Sequence, residues 1–159
     1  MSDDFKINDA TYSGTKEVDQ NLKFDTNLLQ DWMHEHIPNC ESISSVEQFK
    51  GGQSNPTYKI LTKTDAYVLR RKPPGKLLPK AHAVDREYKV ISALEETDVP
   101  VPKTFGLCDD HDVVGTPFFM MEFVEGKVFW DHLLPSCSKT ERAQIYRDKN
   151  RVIAALHGV

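Results

Sequence analysis

The stretch YVLRRKPPGKLLPKAHAVDREYKV, residues 67–90, decides how this chain folds. Its first five residues alternate, so a strand here sends Val68 and Arg70 to one face and Leu69 and Arg71 to the other. Pro73, Pro74 and Gly75 then break the chain. A helix follows, predicted over residues 80–96 and closed by Pro100 and Pro102. Val84, Ile91 and Leu94 fall at helical spacing as its buried stripe, and Glu87 sits on the same stripe. A carboxylate facing a sheet is costly unless a cation meets it. One arginine of the strand can therefore point at the helix while its neighbour points to solvent. On stripe geometry alone the blander reading also stands, with Glu87 at the stripe's margin and in water.

Working outward, two β-type stretches precede this unit at residues 45–49 and 57–62, and residues 66–71 form the third. Lys63, Thr64 and Asp65 supply the turn between the second and third. Two more strands are expected at 104–108 and 117–123, joined by the acidic loop 109–115, and Glu125-Gly126 turns the chain into residues 127–129. Asp25 and Thr26 are good caps for a helix carrying Leu28, Leu29, Trp32 and Met33, which stops before Pro38. The order implies an α+β fold, a five-stranded antiparallel sheet with one main helix laid on it. Residues 1–23 are polar and aperiodic, which predicts a disordered leader. A last helix opens at Ser138, where Glu141 completes a capping box. Its apolar stripe of Ile145, Val152 and Leu156, with Tyr146 and Ile153 beside it, has little sequence left to cover it, so an exposed apolar face is expected.

Composition excludes several classes. The 159 residues are 39% hydrophobic and 28% charged, ordinary for a soluble domain, and the net charge of −4 offers no global attraction to nucleic acid or anionic membrane. The acidic start MSDDFKIND lacks the apolar core of a secretory signal, and no apolar run approaches the ~20 residues a membrane helix needs. Cys40, Cys108 and Cys137 are scattered and odd in number, which reads as reduced thiols in an intracellular protein, cytoplasmic or organellar.

Between the first two strands lies FKGGQSNPTYKI, residues 49–60, whose glycines let the main chain approach anionic oxygens closely. A glycine loop, a basic residue on the third strand and a glutamate on the next helix form an ordered set. A protein kinase's small lobe grips ATP in this way. The segments GGQSNPTYKI, YVLRRKPPGKLLPKAHAVDREYKV, VPVPKTFGLCDD and GTPFFMMEFVEGKVF together make the chain resemble the aminoglycoside phosphotransferase-like kinases. Within these it is most similar to the kinase-like domain at the N-terminus of some acyl-CoA dehydrogenase family members. The resemblance runs from Leu22 to the last residue. It implies a nucleotide-binding lobe over 24–126 and the beginning of a second, incomplete lobe over 127–159. It also implies that Gly51, Gly52, Gln53 and Ser54 form the phosphate loop and that Arg70 stands where most kinases have lysine, with Glu87 as its partner. Met121 would line the back of the adenine pocket, and Glu122, Phe123 and Val124 would be the hinge. For the side chains of Met121 and Phe123, plain core packing is the competing reading. Arginine keeps the charge of lysine but carries a planar fork, so the phosphate geometry differs.

Phosphoryl transfer in such proteins also needs an aspartate to orient the attacking hydroxyl and ligands for magnesium, drawn from a segment resembling H-G-D-x-x-x-x-N and a later aspartate. After Gly126 the chain offers Asp131, Glu141 and Asp148, none at that spacing, and His157-Gly158 is followed by Val159 in place of aspartate. No catalytic residue and no metal ligand is assigned within these residues. His34-Glu35-His36 does not share one helix face and lacks HExxH spacing, Asp109, Asp110 and Asp112 read as a hairpin turn, and Lys72, Lys76 and Lys80 as a solvated basic stretch. Two functions follow. One is the ATP–magnesium-binding portion of a small-molecule phosphotransferase, inactive alone, with a hydroxyl acceptor such as a hydroxyacyl thioester. It would be partnered by the rest of a large lobe or by a dehydrogenase domain. The other is a non-catalytic module that binds nucleotide or a partner.

Overall fold

The computed structural model describes residues 12–51, 54–75 and 81–159. Strands β1 (Thr15–Lys16), β2 (Ser45–Phe49), β3 (Thr57–Leu61), β4 (Ala66–Arg71), β5 (Thr104–Cys108) and β6 (Phe118–Glu122) form one sheet in the order β1-β2-β3-β4-β6-β5. Every neighbouring pair is antiparallel. Helix α1 (Thr26–His36) covers one face, α2 (Val84–Leu94) lies on the other, α3 (His111–Val114) is a single turn, and α4 (Lys139–Leu156) ends the chain. The α+β class read from the order of elements is the one observed.

The face under α1 is a dry core. Leu29, Trp32, Met33 and Ile37 pack onto Tyr58, Ile60, Tyr67, Leu69, Phe118 and Met120, all buried. Asp25 starts α1 by accepting the Asn27 N–H at 2.8 Å. The indole of Trp32 sits edge-on to Phe118, with ring centroids 5.0 Å apart. That approach depends on Gly106 in β5, where φ is +154° and an added Cβ would lie 3.2 Å from the Trp32 ring. A β-bulge interrupts the β5–β6 register between Thr104 and Gly106.

Three expectations change. The sheet has six strands, because β1 lies in the described part of the segment expected to be a disordered leader; residues 1–11 lie outside the described residues. No apolar pattern marks β1. It pairs with β2 along the main chain and by polar ties: Thr15 Oγ1 donates to Glu47 at 2.6 Å, and just past the strand the Asp19 N–H donates to the Gln48 side chain at 3.0 Å. The acidic loop holds α3, because Asp110 accepts the Asp112 N–H at 2.8 Å and Gly115 closes the turn at φ +87°. Helix α2 begins at Val84, later than expected; Lys80 lies outside the described residues, and Ala83 gives the helix no side-chain cap.

Candidate functional site

Alternation in β4 places Val68 and Arg70 on the face carrying α2. Val84 is fully buried and fixes the rotation of α2, so Glu87, one turn on, faces the strand. Arg70 Nε donates to Glu87 Oε2 at 2.5 Å and Nη2 to Oε1 at 3.4 Å, while Nη1 donates to Thr57 Oγ1 at 3.0 Å. Both readings of Glu87 hold in part: its side chain keeps 36% exposure, and it is nonetheless paired with an arginine that keeps 26%. A pair this solvated contributes about 1 kcal/mol or less to stability. Among the described residues three of the five guanidinium N–H groups are engaged in these bonds, which leaves two for another acceptor.

Arg71 overturns its expectation of facing solvent. It is 3% exposed, on the α1 face. Its Nη1 donates to the Val114 carbonyl at 2.5 Å and its Nη2 to the Leu22 carbonyl at 2.7 Å, with the Phe24 and Tyr58 rings each 5.2 Å from the guanidinium. Desolvation pushes the Tyr58 phenol up, and Arg71 beside it partly offsets the rise. A buried arginine that donates to two backbone carbonyls ties distant loops to the sheet.

Beyond α2 the same sheet face opens into a cavity of about 980 Å³, lined by Val68, Met121 and Thr57 with Arg70 at its edge, and by Gly51, Trp130 and the 122–124 segment. Its size suits a drug- or nucleotide-sized ligand. Gly51 is placed where an added Cβ would lie 2.7 Å from the Trp130 ring. That ring donates its N–H to Ser13 Oγ at 3.0 Å and lies against Tyr12. A second cavity of about 650 Å³ shares Arg70 and is lined by Ser54, Asn55, His82, Arg86 and Glu87.

Of the residues singled out from sequence, Gly51, Arg70, Met121, Glu122 and Val124 line the larger cavity, and Ser54 and Glu87 line the smaller. Gly52 and Gln53 lie outside the described residues. Phe118, Phe119 and Met120 are fully buried, whereas Met121 is partly open to the cavity. Phe123 lines the larger cavity too, and its ring stacks near Phe49, 6.4 Å between centroids, under the Lys59 ammonium at 3.9 Å. The Glu122 N–H donates to the Lys103 carbonyl at 2.8 Å. Asn55, Thr57, His82 and Trp130 also belong here and carry no local sequence signal beyond the asparagine and threonine that follow the glycines.

Other groups are occupied elsewhere. His36 stacks on Trp32 at 4.1 Å, and His34 pairs with the Gln30 side chain at 2.8 Å. Among the described residues no cluster of three or more His, Cys, Asp or Glu side chains is set to hold a metal. Lys72 lies 4.0 Å from Asp85, and Lys76 and Lys80 lie outside the described residues. Helix α4 has the expected capping box, and hydrogen bonds with Ser138 hold the Glu141 carboxyl below its usual range. None of its residues is buried, and Tyr146, Ile153 and Leu156 are exposed.

Comparison with known proteins agrees with this fold. Residues 45–159 match the model of the phosphotransferase enzyme family. Acyl-CoA dehydrogenase family member 11 of Rattus norvegicus is 43% identical over 149 residues, 91% of this chain and 19% of that protein. The Homo sapiens protein of the same name is 40% identical over 151 residues, 92% of this chain and 19% of that protein. The chain thus spans about a fifth of the length of these relatives. A solved structure from Ralstonia eutropha, provisionally described as an aminoglycoside phosphotransferase, aligns with TM-score 0.73 and 49% identity. That alignment covers 86% of this chain and 39% of the other.

Proposed function

The chain belongs to the phosphotransferase enzyme family, and from that premise we propose that its sheet face beside α2 binds ATP with magnesium. The carrying observation is the Arg70–Glu87 pair, seated between the two cavities with guanidinium donors to spare. The residues fit such a ligand chemically. Val68 and Met121 offer apolar surface to a base, the loop from Gly51 offers close backbone, and Arg70 offers a planar fork to phosphate oxygens. Glu87 and Thr57 hold that fork in place. The Glu122 N–H is already bonded to Lys103, so recognition of the adenine edge falls to the backbone of Phe123 and Val124.

ATP supplies the transferable phosphoryl group and magnesium screens its charge. We assign the nucleotide-binding lobe to residues 24–126 and the start of the second lobe to 127–159. The base-like aspartate and the metal ligands have no counterpart in these 159 residues, so this stretch alone binds nucleotide and transfers no phosphate. The acceptor is a hydroxyl. The acyl-CoA dehydrogenase names of the relatives favour one carried on an acyl thioester. A second reading, a module that docks a partner, is favoured by the exposed Tyr146, Ile153 and Leu156 of α4.

A thermal-shift titration with Mg-ATP separates the two. The nucleotide reading expects a rise in melting temperature that Arg70→Ala abolishes. No rise in the unaltered chain would overturn it.

A further inference from the structure

Behind the Arg70–Glu87 pair lies a closed circuit of hydrogen bonds that the expected kinase pattern does not contain. Glu87 Oε1 accepts from Asn55 Nδ2 at 2.9 Å. The Asn55 carbonyl accepts from Thr57 Oγ1 at 3.0 Å, and the same Thr57 oxygen accepts from Arg70 Nη1 at 3.0 Å. Arg70 Nε returns to Glu87 Oε2 and closes the ring. Asn55 is only 2% exposed, so its remaining side-chain oxygen must be satisfied from within the protein. The partner is His82 Nδ1, at 2.8 Å.

The donor roles in this circuit follow by elimination. A carboxylate only accepts, so Asn55 must turn its NH2 to Glu87 and its oxygen to His82. His82 must then carry its proton on Nδ1, which leaves Nε2 free of that bond. The backbone of His82 has φ +57°, a conformation unfavourable for a residue with a Cβ, and one that persists where the surroundings over-determine it. Asn55 and Thr57 also follow directly on the glycine loop, so the circuit ties the end of that loop to the cation on β4.

We infer that His82 and Asn55 are positioning residues of the nucleotide site. His82 holds the Asn55 amide, Asn55 orients the Glu87 carboxylate, and the carboxylate aims Arg70 at the ligand. This rests on the nucleotide reading above for its consequence, but its geometry can be tested without it.

The experiment is NMR of the chain labelled with 15N at arginine and histidine, followed by Mg-ATP titration. His82 is expected as the Nδ1–H tautomer, and Arg70 Nε–H as a downfield, slowly exchanging signal. His82→Gly removes the ring and relieves the backbone. It should return the Arg70 signal to the position of a solvated arginine and weaken Mg-ATP binding by about tenfold, as loss of an outer hydrogen-bond partner does. His82→Asn tolerates the positive φ and places an N–H where Nδ1 stood, so it should restore both readouts. An Nε2–H tautomer in the unaltered chain overturns the proposal whatever the variants do. So does a folded His82→Gly variant with an unmoved Arg70 signal. If no Mg-ATP binds but the Arg70 signal still follows His82, positioning stands and only the nucleotide reading fails.

Discussion

Arg70 and Arg71 are neighbours in one strand, yet they do opposite work. Arg71 enters the dry face, loses nearly all contact with water and donates from its two terminal nitrogens to the carbonyls of Val114 and Leu22. Arg70 enters the open face, stays partly solvated, and answers a single carboxylate while keeping donors for something else. The first ties the fold together, and the second is the one we propose for binding. The difference comes from what covers each face. α1 seals one with Leu29, Trp32 and Met33, while α2 crosses only part of the other and leaves Val68 and Met121 to line a cavity.

The largest effect expected is on the sealed face. Arg71→Ala strands the buried Val114 carbonyl and leaves the part-buried Leu22 carbonyl to the Tyr58 hydroxyl, and it should cost about 3 kcal/mol in urea unfolding, since hydrogen bonds from a charged donor are worth about 1.5–3 kcal/mol each. A loss comparable to that of Arg70→Ala would break the contrast. Next is Gly51→Ala on the open face. The added methyl meets the Trp130 ring at 2.7 Å, and overpacking of this kind costs about 1–3 kcal/mol. Tryptophan fluorescence should shift with it, and an unchanged spectrum would mean that Trp130 yields freely.

A smaller and pH-dependent effect sharpens the sealed face. Burial pushes the Tyr67 phenol up to about 12, with Cys40 and Asp65 alongside adding to the rise. The unfolded tyrosine releases its proton near pH 10, and the folded one holds it. Stability from this group is therefore complete below about pH 10 and falls as pH rises toward 12, by no more than about 1.4 kcal/mol per pH unit. Tyr67→Phe should flatten that part of the denaturation profile, and an equally steep profile would assign it elsewhere. The smallest effect on stability is that of Arg70→Ala, about 1 kcal/mol or less, although this is the variant expected to lose Mg-ATP. A loss of several kcal/mol would make Arg70 a second structural arginine.

What was legible in the sequence is what short-range rules govern. Alternation in β4 and the stripe of α2 brought one arginine of the strand toward Glu87, and the family resemblance singled out Arg70, 17 residues from it. The fate of Arg71 was not legible, because its partners stand 43 and 49 residues away on segments that no periodicity marks. The same holds for β1, which pairs with β2 along the main chain and by a side-chain bond across 32 residues, while Asp19 just beyond it bonds Gln48 across 29. His82 was hidden for a related reason. A lone histidine before a helix carries no pattern, and its role depends on an asparagine 27 residues back. Trp130 meets Gly51 only because the chain returns under the loop after β6.

The most direct test of the two-faced account uses its methionines. Met33 and Met120 are fully buried on the sealed face, and Met121 opens on the cavity. Mg-ATP titrated into 13C-methyl-methionine-labelled chain should move the Met121 signal and leave those of Met33 and Met120 nearly in place. A still Met121 signal, or equal movement of all three, would contradict the claim that this chain holds its nucleotide on the open face of the sheet.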